Sequence, residues 1–284
     1  MAKTDLLQDH REHCLLPDKN NQVLWWKAMR DRFDERHNYR SYLCSPRSED
    51  VLTRTVFRSL EQARALDRVA KYLGVQATSD LQVLYWMFHA EKPQSDEQTA
   101  LWELLRDVDG ELGGQVTEPD IVLIGQREVC FVEAKLGEPD KKPTLWRGKE
   151  AKRVPLYEKY LANKGTTLFR RELNDGEKEE FYQLIRNVFY AWALAAKLQN
   201  RKPLVICLVN ERNWSAPTRS IRETFEDFRN LLREDLASPV PRSNLVLKTW
   251  QGLAHELQGG SEVERKVATY IGGHSCLAMR AGGS

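Results

Sequence analysis

Residues 119–136, PDIVLIGQREVCFVEAKL, decide the fold of this chain. They predict two β-strands, the apolar run at 121–124 and a second segment at 129–136 that is rich in β-forming residues. Gly125-Gln126-Arg127 lies between them and is typical of a tight turn, so we expect an antiparallel hairpin. Because neither strand has a clean polar face, the hairpin should lie centrally in a sheet that is covered on both sides.

Three charged residues interrupt this apolar hairpin. Asp120 stands at the entrance of the first strand, and Glu133 and Lys135 lie two residues apart in the second strand. Side chains two residues apart project from the same face of a strand, and pairing in a hairpin can bring Asp120 near Glu133. Two carboxylates and few other protein ligands suit Mg²⁺, and an ammonium group can position the attacking water or stabilise transition-state charge. The alternative is a surface hairpin with a solvent-exposed Glu–Lys pair, which the surrounding Val129 and Phe131 disfavour.

Pro119-Asp120 followed by Glu133-Ala134-Lys135 resembles the signature of the PD-(D/E)xK nuclease superfamily, residue by residue. The resemblance implies a restriction-endonuclease-like fold and a metal-dependent nuclease, an endonuclease that hydrolyses phosphodiester bonds in DNA. It also implies that Asp120 and Glu133 bind Mg²⁺, for which Mn²⁺ can substitute, and that Lys135 is catalytic. Restriction, phage defence (antiviral defence) and repair are the roles that such enzymes have.

Two further catalytic residues are carried over from this resemblance. Many members have a glutamate on a helix before the sheet, a position that Glu49 matches here as a third metal ligand, and a glutamine on a later helix, which Gln183 matches. Arg186 and Asn187 follow Gln183 at helical spacing, so the three side chains can share one face. The alternative for Glu49 is a structural role, since the helix dipole favours an acidic residue at a helix start. The alternative for Gln183, Arg186 and Asn187 is a polar network that only stabilises the core.

The rest of the chain alternates between helical and strand patterns, which predicts an α/β fold with a central mixed sheet flanked by helices. The predicted helices are 22–36, 48–73, 80–90, 95–112, 150–162, 176–198, 217–234 and 251–257, and the further strands are 204–209 and 245–247. Gly74 is expected to end the second helix, and Ser95 with Gln98 forms a plausible capping box at the start of the fourth.

We predict three regions along the chain. Residues 1–44 form a helical N-terminal extension, 45–258 form the nuclease-like domain, and 259–284 form a Gly-rich flexible tail. The extension can serve a homodimer, DNA recognition or a partner protein, and the sequence leaves these open.

A basic segment directly follows the acidic hairpin region. Residues 95–139 contain eleven acidic and three basic side chains, whereas residues 137–175 contain ten basic and six acidic side chains. Such a segment can hold a polyanion beside a cation site, although a solvated surface would look the same. Trp146 and Tyr157 can stack on bases, but packing is the commoner role of such residues. The residues we expect to bind nucleic acid are Arg147, Lys149, Lys152, Arg153 and Arg186.

Composition excludes several other classes. Hydrophobic residues make up 41% of the 284 residues and charged residues 30%, which is typical of a globular protein. No run of about 18 apolar residues suggests a membrane span, and the charged N-terminal segment lacks a signal-peptide core, so we expect a cytoplasmic protein without membrane contact. The five scattered cysteines form no CxxC pair. The rival hypothesis is a non-catalytic module of the same fold that binds nucleic acid or a partner protein.

Overall fold

A computed structural model describes residues 49–76, 81–85, 88–89, 95–109, 119–136, 151–199, 201–211, 220–234 and 242–273. Within these ranges the chain forms two compact units, a helical unit (49–76 and 250–273) and a sheet unit (the described residues from 81 to 249). No helix in the described ranges is both long enough and apolar enough to span a membrane. In chain order the elements are α1 Glu49–Gln62, α2 Asp67–Leu73, β1 Gln82–Tyr85, β2 Phe88–His89, α3 Asp96–Asp109, β3 Ile121–Ile124, β4 Glu128–Lys135, α4 Val154–Asn163, α5 Asp175–Glu180, α6 Tyr182–Lys197, β5 Lys202–Val209, α7 Ile221–Leu231, β6 Leu245–Thr249, α8 Trp250–Gln258 and α9 Glu262–Gly273.

The sheet unit is built on a mixed sheet with the strand order β2-β1-β3-β4-β5-β6. The pairs β2–β1, β1–β3 and β3–β4 are antiparallel. The pairs β4–β5 and β5–β6 are parallel. The predicted hairpin is therefore confirmed as β3 and β4, and it occupies the centre of the sheet. Every residue of both strands is buried, as expected for strands without a polar face. The predicted α/β fold class, a restriction-endonuclease-like mixed sheet flanked by helices, is confirmed.

Helix α6 covers one face of this sheet. Its buried residues share a core with Phe131 of β4 and Val205 of β5, and α4 packs against the outer side of the helix. The ring of Tyr157 in α4 stacks on that of Phe189 in α6, with centroids 4.5 Å apart. Tyr157 is therefore a packing residue, because its ring is buried in the core.

The helical unit consists of α1, α2, α8 and α9, whose apolar sides pack together. Helix α1 does not continue into α2, although we predicted one helix over 48–73. The chain turns at 63–66, where Arg64 adopts a left-handed conformation with φ 53°. Gly74 ends α2 as predicted, with φ 80°, a conformation that glycine adopts without the strain that a Cβ introduces.

The predicted helix at 80–90 is wrong, since β1 and β2 lie there. The segment QVLYWMFH is a continuous apolar run, and such a run fits a buried strand as well as a helix. Pairing with β3 decides the outcome, because Val83 lies opposite Leu123 and Leu84 opposite Val122. Tertiary pairing thus outweighs local preference here.

Two smaller differences concern the helix predicted at 176–198 and the C-terminal tail, whereas the start of α3 agrees with the prediction. The helix predicted at 176–198 is divided at Phe181 into α5 and α6. Helix α3 begins after Ser95, whose hydroxyl accepts a hydrogen bond from the Gln98 backbone N–H at 3.1 Å. Residues 262–273, assigned above to a flexible tail, form α9, which buries Val267 and Ile271. The predicted helix at 22–36 and the N-terminal extension lie outside the described residues.

Candidate active site

Strand β4 positions two charged side chains on the face that α6 covers. Glu133 and Lys135 alternate with Ala134, so they share the face of Phe131, which belongs to the α6 core. They lie at the carboxyl end of β4, where β5 runs parallel and pairs Glu133 with Cys207. The carboxyl ends of parallel strands are the usual location of ligand sites in α/β sheets.

The hairpin brings Asp120 to the same end of β4. Ile121 pairs with Val132, so Asp120, one residue earlier, stands beside Glu133 and Ala134. Its Oδ2 atom accepts a hydrogen bond from the Ala134 backbone N–H at 2.8 Å. Asp120 is half-buried, whereas the Glu133 side chain is only 2% exposed.

Glu133 is held by three donors. Lys135 Nζ lies 2.8 Å from Glu133 Oε1. Glu133 Oε2 accepts hydrogen bonds from Arg186 Nη2 at 2.8 Å and from Asn187 Nδ2 at 2.7 Å. Both oxygens of this buried carboxylate are therefore engaged, and Lys135 and Arg186 among these partners are cations.

Arg186 also orients Asn187. Its Nε donates to Asn187 Oδ1 at 3.0 Å, which turns the amide so that Nδ2 faces Glu133. Arg186 is itself buried, with 4% of its side chain exposed. The helical spacing that placed Arg186 and Asn187 on the side of the hairpin is confirmed by these contacts.

The electrostatics keep Glu133 ionised. Burial by itself raises the pKa of Glu133, but the charges of Lys135 and Arg186, together with the hydrogen bonds from Lys135 and Asn187, outweigh burial and hold the pKa below its usual range. Cys207, which pairs with Glu133 across the sheet, behaves oppositely. Burial and the neighbouring carboxylate raise the pKa of this thiol, so it remains protonated and unreactive.

The two residues carried over from the resemblance lie on different helices. Gln183 lies one turn before Arg186 in α6 and is half-buried. Glu49 is the first residue of α1 in the helical unit, where it is half-buried. The catalytic roles of Gln183 and Glu49 stay predictions.

The basic residues predicted to bind nucleic acid differ in how far they are exposed. Lys152 is exposed, but Arg153 is 1% exposed and begins α4 as its N-cap. Arg153 is buried in this structure, and its role in nucleic-acid binding stays a prediction. Arg186 is likewise buried and paired with Glu133 instead of facing solvent. Arg147 and Lys149 lie outside the described residues.

Comparison with protein-family models shows which family the chain belongs to. The family model described as restriction endonuclease associating with ARP matches residues 82–270, more than half of the chain. The chain belongs to this restriction-endonuclease family. No curated protein and no solved structure matches the chain significantly.

The match spans the whole candidate site of this restriction-endonuclease family member except Glu49. It includes the hairpin with Asp120, Glu133 and Lys135, and it includes α6 with Arg186. It also continues into α9, the helix that lies in the expected tail, and ends at residue 270.

The donor set of this endonuclease-family site fits Mg²⁺ in its chemistry. Asp120 and Glu133 offer carboxylate oxygens, and Mg²⁺ commonly binds through one or two carboxylates while keeping several waters. Within the described residues, no group of three or more His, Cys, Asp or Glu side chains is suited to hold a metal.

One neighbouring residue was not singled out from the sequence. Asn210 follows β5 directly, is fully buried, and donates its backbone N–H to the Lys135 carbonyl at 3.1 Å. This bond fixes the end of β4 that carries Lys135. A polar residue immediately after the apolar run LVICLV is the signal that could have identified it.

Proposed function

We propose that this chain is a metal-dependent nuclease of the PD-(D/E)xK type that hydrolyses phosphodiester bonds, with DNA as its main substrate. The observation that carries the proposal is the arrangement at the centre of the sheet. Asp120 lies beside Glu133 across the hairpin, and Lys135 Nζ lies 2.8 Å from the Glu133 carboxylate. Membership of a restriction-endonuclease family supports the same reaction class.

Asp120 and Glu133 would hold Mg²⁺ or Mn²⁺, with water in the remaining positions. When bound, the metal supplies charge neutralisation at the phosphate and lowers the pKa of a coordinated water. The remaining tasks fall to the chain itself. Asp120 is fixed by the Ala134 N–H, and Glu133 is fixed by Asn187, so both carboxylates keep a defined position.

Lys135 is the group that we assign to the attacking water and to the developing charge on the phosphate. Its ammonium group lies at the edge of the buried network, with 11% of the side chain exposed, so it can reach a substrate that approaches the sheet end. A positioned cation in a water-poor site stabilises transition-state charge strongly, because little reorganisation is needed. We also propose that Gln183, which lies one turn from Arg186 in α6, helps to position the groups of the active site.

Nucleic acid would approach along the basic segment, where Lys152 is exposed beside α4 and Arg147 and Lys149 precede it in the sequence. The family description names association with ARP, and we propose that this chain associates with ARP as well. The N-terminal extension is the proposed contact for that partner or for a second copy of the chain. Restriction or phage defence is the proposed biological role.

A second candidate function is a non-catalytic module that binds nucleic acid or a partner through the same fold. The charge balance of the site favours it, since both oxygens of Glu133 are already occupied by protein donors. The two candidates make opposite predictions for cleavage by the purified protein.

A cleavage assay separates them. Purified protein would be incubated with supercoiled plasmid, linear duplex, single-stranded DNA and RNA, in Mg²⁺, Mn²⁺, Ca²⁺ or EDTA. We expect cleavage with Mg²⁺ and Mn²⁺ and little with Ca²⁺ or EDTA, because the looser coordination of Ca²⁺ orients water poorly.

Two variants and one control complete the assay. Lys135→Met should lower the cleavage rate by about a hundredfold or more while Mn²⁺ binding is retained, because a charge stabiliser is lost but no ligand is. Lys197→Met removes a lysine that pairs with Glu103 on the surface, and it should cleave normally. A wild-type protein that binds DNA and cleaves none of the four substrates favours the non-catalytic module. Normal cleavage by Lys135→Met contradicts the mechanism.

A further inference from the structure

Among the residues that the structure describes at the site, the charges of two carboxylates and two cations cancel without a metal ion. Asp120 and Glu133 bring two negative charges, and Lys135 and Arg186 bring two positive charges. A divalent cation added to this set would leave an excess of two positive charges in a largely buried place, which is unfavourable at low dielectric. With Arg186 moved away from the carboxylate, the same cation meets a set with a net charge of minus one.

Arg186 and Lys135 are not equivalent partners of Glu133. Lys135 lies on the same strand as Glu133, contacts Oε1 and is the more exposed of the two cations. Arg186 comes from α6, fifty-three positions along the chain, and shares Oε2 with Asn187. Arg186 also has an anchor besides the carboxylate, because its Nε donates to Asn187 Oδ1 at 3.0 Å. The guanidinium can therefore stay ordered on α6 when its Nη2 leaves Glu133.

We infer that Arg186 is the internal counter-ion of Glu133 in the metal-free protein, and that a divalent cation takes over this role when it binds. Arg186 is thus a positioning residue that sets the metal affinity of the site. The inference rests on the proposed function, since it assumes that Asp120 and Glu133 bind the cation. It predicts that removing the Arg186 charge tightens metal binding and makes the fold depend on metal.

The test measures Mn²⁺ binding and thermal stability, with no reference to cleavage. Arg186→Met removes the charge at similar length, and Arg186→Gln removes it but keeps a hydrogen-bond donor. Arg201→Met is the matched control. Arg201 pairs with Glu97 at 3.4 Å and lies at the opposite end of β5, so its loss changes the net charge equally without touching the site.

Calorimetric titration should show Mn²⁺ binding about fivefold or more tighter in Arg186→Met and Arg186→Gln than in the wild type, the range of typical couplings between two bound charges. The control should match the wild type. In EDTA, both Arg186 variants should melt at a lower temperature, because a buried carboxylate has lost a partner. Saturating Mn²⁺ should raise their melting temperatures more than that of the wild type.

Each other outcome has a distinct meaning. If the wild type binds Mn²⁺ and the Arg186 variants bind it equally or more weakly, Arg186 supports the site instead of competing, and the inference fails while the proposed function stands. If no protein binds Mn²⁺, both fail. If neither Arg186 variant folds even in saturating Mn²⁺, the metal does not replace the lost charge, and the inference is overturned.

Discussion

Asp120 combines a structural contact with the proposed metal contact, and two substitutions can separate them. Its carboxylate accepts the Ala134 N–H at 2.8 Å, which ties the start of β3 to β4 beside Glu133. Asp120→Ala deletes this acceptor, so the backbone N–H of the buried Ala134 loses its hydrogen bond to the Asp120 carboxylate. Asp120→Asn keeps an amide oxygen for the hydrogen bond but removes the negative charge that a cation needs.

The expected magnitudes differ for the two variants. A hydrogen bond to a charged acceptor contributes about 1.5–3 kcal/mol, and a neutral one about 0.5–1.5 kcal/mol. Since Asp120 is half-buried, we expect Asp120→Ala to lose about 1.5 kcal/mol of the free energy of unfolding and Asp120→Asn clearly less. For a protein of this size the Asp120→Ala loss lowers the melting temperature by roughly 3–6 °C. Both variants should lose Mn²⁺ binding.

Urea unfolding followed by circular dichroism in EDTA gives the stabilities, and calorimetric titration gives the Mn²⁺ affinities. If Asp120→Ala is as stable as the wild type, the bond to Ala134 does not anchor the hairpin. If Asp120→Asn binds Mn²⁺ like the wild type, Asp120 is not a ligand, and the proposed metal site is wrong whatever the stabilities are.

Three further predictions address pH, the nucleic-acid surface and the core. The pKa of Glu133 is lower in the folded protein than its unfolded value of about 4.3. The stability that ionised Glu133 contributes is therefore present above about pH 4.3 and is lost as pH falls through the lower folded pKa. Urea unfolding between pH 7 and about pH 3 should show a steeper loss of the free energy of unfolding in the wild type than in Glu133→Gln. Lys152→Ala should weaken DNA binding and reduce the slope of log affinity against log salt concentration by about one, because Lys152 is exposed. Arg153→Ala should mainly lower the melting temperature, because Arg153 is buried. Equal salt slopes for Lys152→Ala and the wild type would exclude Lys152 as a phosphate contact. Phe189→Ala should cost about 3–5 kcal/mol in urea unfolding because it removes the ring stacked on Tyr157, and a cost below about 1 kcal/mol would contradict this packing.

The central hairpin was predictable because local and tertiary requirements agree there. The strands at 121–124 and 128–135 are rich in β-forming residues, and a glycine-containing turn joins them. Their burial on both faces requires the same apolar residues that local preference favours. Alternation along the strand then placed Glu133 and Lys135 on one face without any structure.

Strand β1 was missed because only its partners define it. Leu84 and Tyr85 lie in a run of apolar residues, which fits either a strand or a buried helix, and pairing with Val122 and Ile121 of β3 decides between them. The break at Arg64 is similar in kind. A left-handed arginine has no local signature, so a helical pattern that continues beyond it predicts one helix where the chain forms two.

The candidate site was predicted in part. Hairpin geometry accounted for Asp120 beside Glu133, and helical spacing placed Arg186 and Asn187 on the correct face of α6. The spacing could not show what Arg186 contacts, because its partner lies fifty-three positions away in the sequence. The sequence predicts a phosphate contact for Arg186, and the fold adds that Arg186 pairs with the Glu133 carboxylate.

This contact makes the site part of the packing between β4 and α6. A buried Glu133 would be costly alone, and Lys135 on the same strand satisfies only one of its oxygens. The second oxygen is satisfied from α6, so the polar network joins the helix to the sheet within an otherwise apolar core. Removing Glu133 would leave two cations without their partner, and a loss of cleavage in such a variant would mix instability with chemistry. Roles in catalysis at this site are therefore best tested with shape-conserving changes that remove the charge but keep hydrogen-bonding groups, such as Asp120→Asn and Glu133→Gln, each accompanied by its stability in EDTA.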